Sequence, residues 1–176
     1  AGANAHGYPT THGTLELRQA IVDWFARRRN VHGLSTDQVM PTVGSKELVA
    51  WLPFLLGLGP HPETGERDVV VYPRAAYPTY EIGARLAGAD HYAADSLTEL
   101  PEDVKRRVRL VWVNSPDNPN GVVRGIEQLR ELVRQARDIG AVVASDECYA
   151  ELGWGEWDTA RGGKPVPSIL DERVCA

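Results

Sequence analysis

RLVWVNSPDNPNGVVRGIEQLRELVRQARDIGAVVASD, residues 109–146, is the stretch whose reading decides the fold. Residues 109–114 read as a strong strand. A loop with two prolines and a glycine follows, ending at Gly121. Ile126, Leu129, Leu132, Val133 and Ala136 then fall on one side of a helix over 126–139. Residues 141–145, AVVAS, form another apolar strand. Strand, helix and strand in this order imply a parallel pair joined by a right-handed crossover.

Working outward, the same alternation continues. Residues 68–72, DVVVY, are a continuous apolar strand of the kind buried on both faces of a sheet. Residues 78–86 are helical, 90–94 a weak strand, and 95–107 polar with a short helix. Upstream, Leu17, Ile21, Trp24 and Arg28 follow helical spacing, with Thr14 as the cap. Residues 39–43 read as a short strand ending at Gly44. Ser45 then caps a helix through Leu48, Val49, Leu52 and Leu55, with a kink at Pro53. Residues 153–168 are rich in Gly, Pro and Trp and read as a surface loop. The expectation is an α/β protein with a mostly parallel sheet of about five strands.

Composition narrows the function classes. The chain has 176 residues, 43% apolar and 24% charged, with a net charge of -5. That suits one soluble domain or a large part of one, and disfavours nucleic acid or an anionic membrane as partner. Arg27, Arg28 and Arg29, and Lys105, Arg106 and Arg107, lie in helical stretches and read as solvated faces. Cys148 and Cys175 form no CxxC pair, so a reducing cytoplasm is expected. His6, His12, His32, His61 and His91 are scattered, and no metal site is expected. The apolar run 49–58 is too short to span a bilayer, and no export signal is read at the N-terminus. The missing initial Met and abrupt end lead us to expect a fragment of a longer chain.

In parallel α/β sheets, ligands bind outside the carboxyl ends of the strands. Four such ends carry unusual residues. Gly44-Ser45-Lys46 offers a tight turn and a helix start, suited to an anion or to simple capping. Tyr77, before Pro78, suits stacking on a planar ring or a core turn. Residues 114–121 hold Asn114, Asn118 and Asn120 in a rigid loop that opens onto a helix. Asp146 is a carboxylate at the end of a buried strand, which needs a partner. A protonated ring nitrogen, an arginine or a helix start would each serve, and Tyr149 could reach the same ring.

Together these residues resemble the class I and II group of fold-type I pyridoxal 5'-phosphate (PLP) aminotransferases. Asn118-Pro119-Asn120-Gly121 is similar to that family's Asn-Pro-Thr-Gly motif. Asp146-Glu147-Cys148-Tyr149 is similar to its Asp-Glu-x-Tyr motif. Residues 73–80 resemble its Pro-x-x-x-Tyr-Pro segment, and Gly44-Ser45-Lys46 its phosphate turn. Residues 8–18, from Tyr8-Pro9 to Leu17-Arg18, resemble its opening motif. Runs 8–18, 42–52 and 144–154 further resemble the actinobacterial type of succinyldiaminopimelate aminotransferase. Asn120 stands where Thr is usual, and Arg74-Ala75 where Asp-Pro is common.

The resemblance implies the large domain of an aspartate aminotransferase-like, three-layer α/β/α fold, incomplete over residues 1–176. It implies PLP held by eight residues. Asp146 would meet the pyridinium nitrogen, and Tyr149 and Asn118 the 3-oxygen. Tyr77 would stack on the ring. Gly44, Ser45 and Lys46 would hold the phosphate. Tyr8 would reach the phosphate of a partner subunit in a homodimer. No catalytic residue is expected within the chain. None of its three lysines, Lys46, Lys105 and Lys164, has the family's Ser-x-Ser-Lys context. The Schiff-base lysine is therefore expected beyond Ala176, and the N-terminal segment and C-terminal small domain are expected elsewhere. The implied activity is amino transfer from an amino acid, glutamate, to a 2-oxo acid, N-succinyl-2-amino-6-oxopimelate, in lysine and diaminopimelate biosynthesis. A C–S lyase or synthase on the same fold, a PLP-binding sensor domain of a transcription regulator, and a stable binding module that needs no lysine are the alternatives.

Overall fold

The computed structural model describes residues 7, 8 and 10–175. His6, Pro9 and Ala176 lie outside the described residues. The first helix, α1 (Leu15–Arg29), starts where Thr14 accepts the amide of Leu17 at 3.2 Å and ends at Asn30, whose φ is 51°. Three arginines in its last turn face the negative end of the helix dipole. Helix α2 (Ser45–Leu55) follows, then β1 (Val69–Tyr72), α3 (Thr79–Ala87), β2 (Asp90–Ala93), α4 (Glu102–Lys105), β3 (Val108–Asn114), α5 (Ile126–Asp138), β4 (Val142–Asp146) and α6 (Glu172–Cys175).

The four strands make one sheet in the order β2-β1-β3-β4, and every neighbouring pair is parallel. Alternation of side chains sorts the sheet into two faces. Val70, Tyr72, Leu110 and Trp112 pack with Val49 of α2 and with Tyr80 and Ala84 of α3. Val69, Val71, Val108 and Val111 pack with Leu97, Leu100 and Ala136 of α5. The result is three layers, with helices on both faces of a buried parallel sheet. Helix α5 forms because Leu129, Val133 and Ala136 share its buried side and the Gln128 side chain accepts the Gly125 amide at 2.9 Å.

Three expectations are corrected. Residues 39–43 are not a strand: Pro41 has no N–H to give a ladder, and Met40 and Val43 are 64% and 96% exposed. The described sheet therefore has four strands. Ser45 does not cap α2 but is its first residue, and Gly44, at φ 88°, stands before it. The basic clusters are not simply solvated. Arg29 is buried against Glu147, and the mostly buried Arg107 pairs with Asp90 at 2.6 Å. Residues 153–168 are a loop carrying two single 3-10 turns, Gly155–Trp157 and Thr159–Arg161. No described helix is long and apolar enough to cross a membrane.

The order β2-β1-β3-β4 contains one reversal. The chain leaves β1 toward β2 on one side and returns to place β3 on the other. A crevice opens outside the carboxyl ends of β1 and β3 at such a switch point. The register aligns Asn114 with Asp146, so two polar residues meet at that rim.

Candidate active site

A cleft of about 250 Å³ lies at this rim. Ser45, Lys46, Tyr77, Asn118, Asp146 and Tyr149 all line it. Gly44 stands directly before Ser45 and does not itself line the cleft. Tyr8 does not line the cleft, and its side chain is fully exposed. Four segments far apart in sequence, three of them following strands and one opening α2, thus converge on one small volume.

Asp146 closes β4 and is half-buried. Its Oδ2 accepts the Tyr80 hydroxyl at 2.8 Å, and its Oδ1 accepts the Cys148 amide at 3.2 Å. No Arg, Lys or His among the described residues forms an ion pair with it. A carboxylate has about four acceptor positions, so room remains for a further donor. Its neighbour Glu147 is spent on structure. Glu147 Oε1 accepts Ser145 Oγ at 3.0 Å, Ser168 Oγ at 3.2 Å and the Ile169 amide at 2.7 Å. Its Oε2 takes the buried Arg29 guanidinium at 2.9 Å. Of two adjacent acids, one bolts the turn to α1 and the other is left facing the cleft.

Asn114 fixes the opposite wall. Its Nδ2 donates to the Asp146 carbonyl at 2.9 Å and its Oδ1 accepts the Asn118 amide at 2.9 Å. Asp117 then closes the loop by accepting the Val122 amide at 2.7 Å and Asn120 Nδ2 at 3.2 Å. The side chain of Asn118 is left exposed at the cleft. On the other wall Tyr77 stands edge-on to Tyr80, ring centroids 6.3 Å apart at 83°. Lys46 Nζ lies 5.9 Å from the Tyr77 ring centre. The Thr79 hydroxyl, and then the Lys46 ammonium, hold the Tyr77 phenol below its usual value. Partial burial, then the Asp146 carboxylate, push the Cys148 thiol up to about 11, so it is protonated at neutral pH.

Helix α2 presents its N-terminus to the same cleft. No side chain caps it among the described residues, so its first amides and its dipole favour an anion. Ser45 and Lys46 add a hydroxyl and a cation there. Tyr80, Asn114 and the Arg29–Glu147 pair were not singled out for these roles in the sequence. Tyr80 sits one turn beyond Tyr77, and Asn114 ends its strand beside Asp146, so local signals existed for both. Arg29 and Glu147 lie 118 positions apart and gave none.

Residues 1–172 match the family described as aminotransferase class I and II. The chain belongs to that family. It is 46% identical over 175 residues to the 4-dedimethylamino-4-oxo-anhydrotetracycline transaminase OxyQ of Streptomyces rimosus, covering 99% of this chain and 44% of that protein. It is 33% identical over 174 residues to the LL-diaminopimelate aminotransferase of Aquifex aeolicus, covering 94% of this chain and 41% of that protein. Among solved structures it is similar to a probable N-succinyldiaminopimelate aminotransferase of Thermus thermophilus. The TM-score there is 0.75 at 28% identity, covering 94% of this chain and 43% of that one. The chain thus spans about two fifths of the length of such aminotransferases.

Class I and II aminotransferases work with PLP, a flat phosphorylated heterocycle with a basic ring nitrogen. The cleft of this family member fits that group on three counts. A helix start without a side-chain cap suits the phosphate, an aromatic wall suits the ring, and a carboxylate without a cationic partner suits the nitrogen, all among the described residues.

Proposed function

We propose that the protein carrying this chain binds PLP in the cleft at the sheet rim and transfers an amino group between glutamate and a 2-oxo acid. The observation that carries the reading is Asp146, a carboxylate turned into a cleft with acceptor capacity left over and no cationic partner among the described residues. Its proper ligand is a cation with one N–H, and a protonated pyridine is such a ligand.

When bound, the cofactor supplies an electrophilic carbon for the amine and a ring that withdraws electrons from the substrate Cα. Asp146 holds the proton on the ring nitrogen. The α2 amides near Gly44, with Ser45 and Lys46, would bind the phosphate and anchor the cofactor. Tyr77 covers one ring face and keeps water from it. Asn118 and Tyr149 donate to the ring's 3-oxygen and orient it. Lys46 is the one lysine lining the cleft among the described residues, and it lies in the first turn of α2, where the phosphate would bind. We therefore place the family's cofactor-bearing lysine outside this chain. We also propose a cytoplasmic homodimer, in which Tyr8, exposed and clear of its own cleft, reaches the partner's phosphate.

For the acceptor we propose N-succinyl-2-amino-6-oxopimelate. The likeness to diaminopimelate and N-succinyldiaminopimelate aminotransferases supports this choice. The 46% identity to OxyQ favours a second reading, a polycyclic ketone acceptor. The test is to incubate the protein with PLP, glutamate and each acceptor. The proposal expects 2-oxoglutarate and N-succinyl-diaminopimelate in equal amounts. Turnover of the ketone alone would support the second reading. Release of ammonia and pyruvate from an amino-acid substrate, without amino transfer, would overturn both.

A further inference from the structure

We infer that Tyr80 is a positioning residue that aims Asp146 at the ring nitrogen, an inference that rests on the PLP reading of the cleft. Tyr80 is completely buried, and its ring stacks on Trp112 at 4.8 Å and 25°. Trp112 is in turn buried in the sheet's α3-side core. The phenol is therefore a rigid arm that starts in α3 and ends on Asp146 Oδ2 at 2.8 Å. On the other oxygen the Cys148 amide is the donor. One donor on each oxygen fixes the rotation of the carboxylate, which a lone strand-end aspartate would lack.

The choice of donor matters as much as its place. An Arg or Lys here would neutralise Asp146 and compete with the ring for its charge. A phenol orients the carboxylate and leaves its charge intact. Burial first, and the adjacent carboxylate second, push the Tyr80 phenol far above its usual value, so it keeps its proton at every working pH and only donates. A merely structural hydrogen bond would satisfy a buried hydroxyl equally well. The two roles separate by asking whether Tyr80 acts on the ring nitrogen or on the cleft as a whole.

The experiment titrates the protein with PLP and with the carbocyclic analogue that carries C–H in place of the ring nitrogen. Tyr80→Phe keeps the stacked ring and removes only the hydroxyl. Wild type is expected to prefer PLP. Tyr80→Phe is expected to bind PLP about tenfold more weakly, the scale of one charge-assisted hydrogen bond, and to bind the analogue as wild type does. Equal weakening for both ligands would assign Tyr80 a general packing role and overturn the inference. So would a Tyr80→Phe protein that discriminates as well as wild type. A wild type that binds both ligands alike is a different result: it would remove the Asp146–nitrogen contact itself, and the PLP reading with it.

Discussion

At the residue scale, Asp146 and Glu147 show how two neighbouring acids divide the work. Asp146 was legible as a site residue because it ends an apolar strand, where a carboxylate needs a reason to be. Glu147 was not, because its partner Arg29 comes from α1, and nothing local links the two. The triple-arginine run concealed the difference between its members. Arg28 is half-exposed and pairs with a half-exposed Glu151, whereas Arg29 is buried and also reaches the carbonyls of Ala150 and Pro167. Replacing Arg29 by Met leaves the carboxylate of Glu147 without its cation in a mostly buried setting. A loss of about 3 kcal/mol in denaturant unfolding is expected. Arg28→Ala, breaking a surface pair, is expected to cost about 1 kcal/mol or less. Equal losses for the two variants would show that burial does not set the worth of these pairs.

At the element scale, helices and buried strands declared themselves through periodicity, and short irregular segments did not. The run 39–43 has the composition of a strand, but Pro41 cannot donate to a ladder and the segment has no neighbour in the described sheet. Helix α2 continues through Pro53 to Leu55. Pro53 has no amide for the carbonyl of Val49, and the backbone of α3 lies against α2 at this place. A Cβ added at Gly83 would lie 2.9 Å from the Ala50 carbonyl oxygen and 3.1 Å from that of Val49. The glycine is thus what lets α3 lie against α2. Gly83→Ala forces two backbones apart and is expected to cost about 1–3 kcal/mol in denaturant unfolding. Because α2 also carries the proposed phosphate end of the cleft, the variant is expected to bind PLP more weakly. Unchanged stability and affinity would mean that the two helices do not need this approach.

At the scale of the whole molecule, the sheet order places the chemistry. The alternation of helix and strand made a parallel sheet legible, but not the side of β1 on which β3 lies. Sheet order is settled by long-range packing of two buried faces, which leaves no local mark. The order β2-β1-β3-β4 creates one switch point, and the cleft opens there. Six of the eight residues read as cofactor contacts line it, Gly44 stands directly before Ser45, and Tyr8 remains apart for a proposed partner. The central claim is that Asp146 keeps the cofactor's ring nitrogen protonated. The nitrogen-15 resonance of PLP labelled at that atom, bound to the protein at neutral pH, reads this directly. The account predicts a pyridinium shift in wild type and an unprotonated pyridine shift in Asp146→Ala. An unprotonated ring nitrogen in the wild-type protein would contradict it.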